Sequence, residues 1–149
     1  MASVSGFERL PSAAAPMIDD AVFGLLRATP SDTGRTWLWQ PLDLVPTPCG
    51  MADIAFEAGL DGPSQAHRAQ LQDILARLEA LSDLAAPLIT ARLFGPPALT
   101  EGHAELEWRG ACLTGREGDF ELDFACRNRP EAIAVRFQGS QPVAVDIEA

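Results

Sequence analysis

The sequence predicts a single α+β domain in which antiparallel strands pack against one or two central helices. Apolar and polar residues alternate with a period of two through the C-terminal part of the chain, which is typical of half-buried strands. A stripe of apolar residues with helical spacing precedes this region, and shorter strand-like runs precede the stripe. Because strands and helices are segregated along a chain of 149 residues, we expect one domain of the α+β class.

The N-terminal part is predicted to contribute a flexible arm and three strands. Residues Met1 to Pro16 are rich in Ala, Ser and Pro and are predicted to form the arm, so the domain spans residues 17–149. The strands are predicted over Val22–Leu26, Thr36–Gln40 and Asp53–Glu57. The segment Pro41–Gly50 contains three prolines and is predicted to be a loop.

The central region is predicted to be helical. Gly62-Pro63 provides a start signal, because proline is tolerated in the first turn of a helix. The apolar residues that recur at spacings of three and four are Leu71, Ile74, Leu78, Leu81, Ala85 and Leu88. Since Pro87 would kink one continuous helix, the sequence favours two helices, Ser64–Leu81 and Asp83–Leu93, with Pro87 in the first turn of the second.

Four C-terminal strands joined by short turns are predicted to form an antiparallel meander with one face exposed to solvent. Their apolar positions are Leu106, Trp108, Phe120, Leu122, Phe124, Ile133, Val135, Phe137, Val143, Val145 and Ile147. A turn centred on Gly115 would place Glu107 opposite Asp123 on neighbouring strands. Directly opposed like charges are unfavourable unless a cation or a basic partner lies between them.

Composition excludes several classes of function. The chain has no lysine and no tyrosine, so lysine nucleophiles, phosphate-binding P-loops and tyrosine acids are absent. The net charge of −10 disfavours nucleic acid and anionic membrane surfaces and favours a positively charged partner. No signal peptide is recognisable and no apolar run is long enough to span a bilayer, so a cytoplasmic location is expected.

No catalytic residue, metal site or cofactor is predicted from the histidines. His67 is expected on the exposed face of the helix, and His103 in a loop between Glu101 and Glu105. No ligand spacing connects the two histidines, so surface positions are the simpler interpretation. An enzyme that uses Glu101, Glu105 and His103 is the remaining catalytic alternative, and it depends on proximity in sequence alone.

The three cysteines show no pattern of a catalytic or metal-binding site. Cys112 and Cys126 share the period of the apolar strand positions and are expected to point inward. Cys49 lies in the Pro48-Cys49-Gly50 loop and is expected to be exposed, but no histidine is adjacent to it in sequence. Free thiols in a reducing compartment are therefore expected.

The acidic positions of the meander are the best candidates for binding. Glu105, Glu107, Glu121 and Asp123 lie on the polar face of the first two meander strands and would attract a basic protein. The alternative is a small-molecule site in a pocket between the Trp37/Trp39 strand and the helices, with Pro41–Gly50 as a lid. The first reading describes a non-enzymatic protein-binding domain, and the second an accessory domain.

Short motifs also suggest a relationship to known proteins. They are Phe23-Gly24-x-Leu26, Trp37, the helical region Leu71–Leu93, Gly118-x-Phe120-x-Leu122-x-Phe124 and Ile133-x-Val135. Over Ile18 to Ile147 the layout resembles bacterial domains of unknown function that are often immunity proteins beside secreted toxins. Where that family has Gly-His-Ser/Ala-Ile, this chain has Pro130-Glu131-Ala132-Ile133. The resemblance implies an α+β fold and a protein partner, and it carries over no catalytic residue.

Overall fold

The computed structural model describes residues 15–31, 34–95 and 105–148, which form a nine-stranded sheet and one long helix. The elements before the helix are β1 (Met17–Asp20), β2 (Gly24–Pro30), β3 (Trp37–Pro41), β4 (Val45–Thr47) and β5 (Gly50–Ala58). The helix and the strands after it are α1 (Gln65–Phe94), β6 (Leu106–Leu113), β7 (Asp119–Cys126), β8 (Ala132–Gln138) and β9 (Gln141–Glu148).

The sheet joins two antiparallel blocks through one parallel pair. The strand order is β1-β2-β3-β5-β6-β7-β8-β9, and β4 pairs with the start of β5 outside this path. Every pair is antiparallel except β5 and β6, which run parallel with Asp53 beside Gly110 and Phe56 beside Leu113. A parallel connection needs a crossover, and α1 lies in that connection.

The core lies between α1 and one face of the sheet. The helix buries His67, Leu71, Ile74, Leu78, Leu81, Ala85, Ile89 and Thr90. The sheet contributes large side chains from both blocks, including fully buried Trp39, Phe56, Leu122 and Phe137. An α+β fold with the sheet on a helical layer is thus confirmed, although the strand count differs from the prediction because five strands, and not three, precede the helix.

The helix is continuous, so the prediction of two helices is wrong. Pro87 lies inside α1 and leaves the Asp83 carbonyl without its usual intrahelical donor. Leu81, Ala85 and Ile89 lie on both sides of this defect and are at most 1% exposed, so burial against the sheet outweighs the lost hydrogen bond.

The helical stripe also ends differently from the prediction. Ile89 is buried and Leu88 is 42% exposed, because a strict alternation of three and four residues drifts around a 3.6-residue helix.

The N-terminal block contains two strands that the sequence did not predict. Short β1 lies within the chain between the predicted arm and first strand, and β4 lies within the predicted loop Pro41–Gly50. Prolines at positions 46 and 48 argued against a strand there, yet β4 is a three-residue edge segment, where proline is tolerated. The strands predicted around Trp39 and Ile54 are confirmed as β3 and β5. Residues 1–14 of the predicted arm lie outside the described residues.

A one-residue irregularity changes the predicted register of the meander. Trp108 pairs with Phe124, but Gly110 pairs with Asp123, so Arg109 is an extra residue on β6. The pairing next to the connection already differs from the predicted register, since Cys112 lies opposite Glu121, and the bulge shifts it by one residue. Glu107 lies opposite Ala125 as a result, and the predicted opposition of Glu107 and Asp123 is wrong. The connection between β6 and β7 covers residues 114–118 and is not a tight turn centred on Gly115. Such bulges are invisible to a strict period of two.

The bulge also reverses the direction of Cys112. After Arg109 the positions of β6 that join the core are Ala111 and Leu113, so the predicted inward position of Cys112 is wrong. Cys112 pairs with Glu121 and lies on the opposite sheet face from the helix. Cys126 is buried and Cys49 is exposed, as expected, and all three cysteines are free.

His67 is a buried structural residue, which corrects the prediction that it is exposed. Its side chain is 5% exposed, its Nδ1 accepts the Ser64 backbone N–H at 3.1 Å, and its Nε2 donates to the Glu57 carbonyl at 2.8 Å. Because a backbone N–H can only donate, this pattern places the ring proton on Nε2. His67 thereby completes the start of α1 in the way a glutamate does in a capping box, and it ties α1 to β5.

Candidate functional site

The sheet face opposite α1, here called the open face, is covered by no other helix or strand of the described residues. Side chains on strands alternate between faces, so the positions between the core residues of β5 to β9 lie here. Many of them are small, and they form a low floor: Ala55, Gly110, Cys112, Ala125, Ala132, Ala134 and Ala144. The larger side chains that rise from this floor are mostly carboxylates.

Three of the carboxylates form a row across the sheet, here called the acidic row. Asp53 on β5 pairs with Gly110, Gly110 with Asp123 on β7, Asp123 with Ala134, and Ala134 with Asp146 on β9. Since each carboxylate is two strands from the next, neighbouring Cα atoms lie about 10 Å apart. None of the three aspartates takes part in an ion pair with any described residue.

Burial and neighbouring negative charges both disfavour the ionised form of Asp123, the carboxylate at the centre of the row. Burial raises the pKa of Asp123 to about 6, and the negative charges of Glu121 and Asp53 contribute to the increase. Burial likewise raises the pKa of Glu121, together with the negative charge of Asp146, whereas Arg136 acts in the opposite direction. Half-buried carboxylates of like charge are therefore held together on this face, and Arg136, which pairs with Glu121 across β7 and β8, partly offsets their charge.

The structure brings two of the four predicted binding residues together. Glu121 and Asp123 are successive open-face positions of β7. Glu107 lies near the end of the same face, where it forms a 3.1 Å ion pair with Arg109. Glu105 precedes β6, is exposed and pairs with Arg127 at 3.4 Å. These ion pairs are largely exposed, so they weaken the negative field without holding the side chains rigidly.

Asp53 and Asp146 were not among the predicted binding residues. Asp53 lies in a strand that the sequence did predict, but its place beside β6 depends on the parallel pairing of β5 and β6. Asp146 alternates with Val145 and Ile147, so the period of two already placed it on the polar face of the last strand. The sequence pattern does not reveal the strand order, and it is this order that aligns the three aspartates.

The described residues do not assemble a recognisable catalytic or metal centre. No group of three or more His, Cys, Asp or Glu side chains among them is arranged to hold a metal ion. Burial raises the pKa of the Cys112 thiol to about 12, with the charge of Glu121 as the next cause, so this thiol is a poor nucleophile. Glu101 and His103, two members of the catalytic alternative, lie outside the described residues. No helix in the described ranges combines the length and apolar character that a membrane crossing needs.

A separate pocket lies between the first half of α1, the β1–β2 turn and β4. Its volume is about 480 Å³, and its apolar walls include Phe23, Val45, Leu71 and Leu75. The segment Val45–Pro48 forms one side of the pocket and lies within Pro41–Gly50, the segment predicted to be a lid. Trp39, however, is fully buried within the core and donates its Nε1–H to the Gly59 carbonyl at 2.8 Å. The Trp37/Trp39 strand therefore does not form the wall that the sequence suggested.

Comparisons of the chain with protein-family models, curated proteins and solved structures found no match.

Proposed function

We propose that this protein is a non-enzymatic binding domain whose open face receives a basic protein surface. The observation that carries the proposal is the acidic row, Asp53, Asp123 and Asp146, on a floor of small side chains. A floor of alanine and glycine lets another backbone approach closely, and the aspartates at its sides offer charge-assisted hydrogen bonds. The preferred partner presents arginine or lysine side chains about 10 Å apart.

The raised pKa of Asp123 supports a role for the charge cluster beyond solubility. Burying this carboxylate, and placing it near other carboxylates, destabilises the folded protein at neutral pH, and a surface selected only for solubility would leave such groups exposed and spread apart. A cationic partner would remove this penalty, because its guanidinium or ammonium groups would neutralise the cluster. Costs in stability of this kind are common where residues serve binding.

The overall charge would speed the encounter with such a partner. A net charge of −10 steers a basic protein towards this chain over distances of about one Debye length, roughly 8–10 Å at physiological salt. The association rate should therefore fall as salt is added, while short-range contacts on the open face set the dissociation rate.

The resemblance to immunity proteins fits within this proposal. In that setting the partner would be a toxin with a basic surface, and the open face would inhibit it by covering that surface. We include a cytoplasmic location in the proposal, because Cys49, Cys112 and Cys126 are free thiols, as expected in a reducing compartment.

The test compares immobilised wild-type protein with a variant in which Asp53, Asp123 and Asp146 are all changed to Asn. Each column receives lysate from the native host and is washed with increasing salt. A basic protein should bind to the wild type, elute with salt and be absent from the triple variant. Its affinity for the wild type should then be measured by calorimetry at two ionic strengths.

A control variant separates local recognition from net charge. Changing Asp43, Glu79 and Asp83 to the corresponding amides removes three exposed carboxylates away from the open face and changes the net charge by the same amount. This control should retain the partner as the wild type does. Equal loss of the partner from both variants would show a general charge effect, and retention by both would contradict the proposal.

A further inference from the structure

The pocket beside β4, here called the β4 pocket, is separate from the open face and has a polar group in its wall. Phe23, Val45, Leu71 and Leu75 form its apolar part, and Arg68 of α1 lies among them. Its volume of about 480 Å³ lies within the range of small-molecule sites.

Arg68 has a hydrogen-bond donor that the protein does not satisfy. Its Nη2 donates to Asp20 Oδ1 at 2.5 Å. Its Nε is buried and has no hydrogen-bond partner among the described residues. Buried donors are nearly always paired, so the chain leaves the hydrogen bonding of this guanidinium incomplete. The Arg68 side chain is 30% exposed and lines the pocket, so an acceptor from outside the chain would meet the guanidinium there.

The neighbouring charge indicates what kind of acceptor fits. Asp20 is 9% exposed, and its other oxygen, Oδ2, accepts the backbone N–H groups of Val22 and Phe23, each at 2.9 Å. Burial acts to raise the pKa of Asp20, but these hydrogen bonds and the Arg68 contact outweigh it and hold the pKa below the usual value. Asp20 therefore stays ionised and balances the charge of Arg68, so an anionic ligand would meet a carboxylate beside the guanidinium.

We propose that the β4 pocket binds a small apolar molecule with one neutral carbonyl group. The apolar part packs on Phe23, Val45 and Leu75, and the carbonyl oxygen accepts a hydrogen bond from the Arg68 guanidinium. This site is independent of the open face, so either proposal can fail without the other.

The test uses octan-2-one as the probe and octanoate as its charged counterpart, with ¹H–¹⁵N NMR of the full chain. Octan-2-one should cause saturable shifts confined to the amides of Phe23, Val45, Thr47, Leu71 and neighbouring pocket residues. Octanoate should bind more weakly because of Asp20. No saturable shift with octan-2-one, or tighter binding of octanoate, would overturn the proposal.

Three variants test the role of individual walls. Leu75→Trp should fill the pocket and abolish the shifts, whereas Leu84→Trp, at a 45% exposed position on the same helix, should leave them unchanged. Arg68→Lys keeps a cation for Asp20 but removes the guanidinium group, so binding of octan-2-one should weaken about threefold to tenfold, as expected for one hydrogen bond. Unchanged binding in Arg68→Lys, with a folded spectrum, would contradict recognition by the guanidinium.

Discussion

Gly110 shows how a single residue determines whether the two blocks of the sheet can meet. A Cβ atom at this position would lie 2.0 Å from the carbonyl oxygen of Asp53, a backbone atom that cannot move away alone. Gly110→Ala should therefore destabilise the protein by about 3 kcal/mol or more, measured by urea unfolding. Gly59→Ala is the matched control, since a Cβ there has no neighbour within 4 Å. A Gly110→Ala variant as stable as the control would contradict the close approach of β5 and β6 at this position.

Asp123 provides a prediction about pH. Its folded-state pKa of about 6 lies above the ordinary value of 3.8, so protonation stabilises the folded state. This contribution is complete below about pH 4 and is lost as the pH rises through 6. Asp123→Asn should therefore raise the free energy of unfolding at pH 7 by about 1–3 kcal/mol and leave it nearly unchanged at pH 4. Urea unfolding at both pH values measures this difference.

The exposed residue Asp43 supplies the control for this measurement. Asp43→Asn should leave the pH dependence of stability as in the wild type, because its carboxylate lies in an exposed turn between β3 and β4. If Asp123→Asn also leaves it unchanged, neither burial nor the neighbouring carboxylates destabilise the ionised form of Asp123 appreciably. The same Asp123→Asn change should weaken binding of the proposed basic partner, so stability and binding are expected to move in opposite directions.

At the scale of elements, α1 contains a defect that substitution can repair. Pro87 is exposed within the helix, and alanine at this position would provide the N–H donor that the Asp83 carbonyl lacks. Pro87→Ala should stabilise the protein by about 1–3 kcal/mol, observed as a higher melting temperature. Pro46→Ala in β4 serves as a comparison and should bring no such gain, because that proline is in a short edge strand. A lower melting temperature for Pro87→Ala would mean that the core depends on a bend at this position.

Elements differ in how far the sequence alone could predict them. Strands β7 and β8 were predictable because their alternation of buried and exposed residues is uninterrupted. The helical stripe was also predictable, but whether Pro87 divides it depends on burial against the sheet, which is a tertiary effect. The bulge at Arg109 was not predictable, since the two halves of β6 each follow the period of two.

The connection between β6 and β7 illustrates a contact that sequence patterns do not reveal. Gln70 of α1 donates from Nε2 to the carbonyls of Arg116 and Asp119, and its Oε1 accepts the Gly115 N–H at 3.1 Å. One amide side chain thus satisfies three backbone groups, two in the connection and one at the start of β7, that lie 45 or more residues away in sequence. In a helical pattern this glutamine was indistinguishable from the solvent-exposed residues around it.

At the scale of the whole molecule, both blocks of the sheet share a single helical layer. Ile74 of α1 is fully buried, and Ile74→Ala should lower the free energy of unfolding by about 2–5 kcal/mol. Because both blocks pack into one core, we expect them to unfold together, so Ile74→Ala should reduce the free energy of hydrogen-exchange protection of amides in β2 and in β8 by the same amount. Leu84→Ala, at an exposed position of the same helix, should change little. Loss of protection confined to one block would show that the blocks unfold separately.

The candidate site depends on long-range pairing more than the fold class does. Period and spacing were sufficient to indicate an α+β domain and to place Glu121 and Asp123 on a polar face. The acidic row required the parallel pairing of β5 with β6, which joins residues more than 50 positions apart. No local property of Asp53 encodes this neighbour, because strand order follows from how the whole chain packs.

The extra residue Arg109 divides β6 into two parts in which opposite sets of positions face the core. On one side of it the odd and even positions have one assignment to the two faces, and on the other side the assignment is reversed. A deletion of this single codon would therefore not simply shorten the strand. It would move Ala111 and Leu113 from the core face to the open face and turn Cys112 towards the core. During divergence, length changes at this position should be far rarer than substitutions.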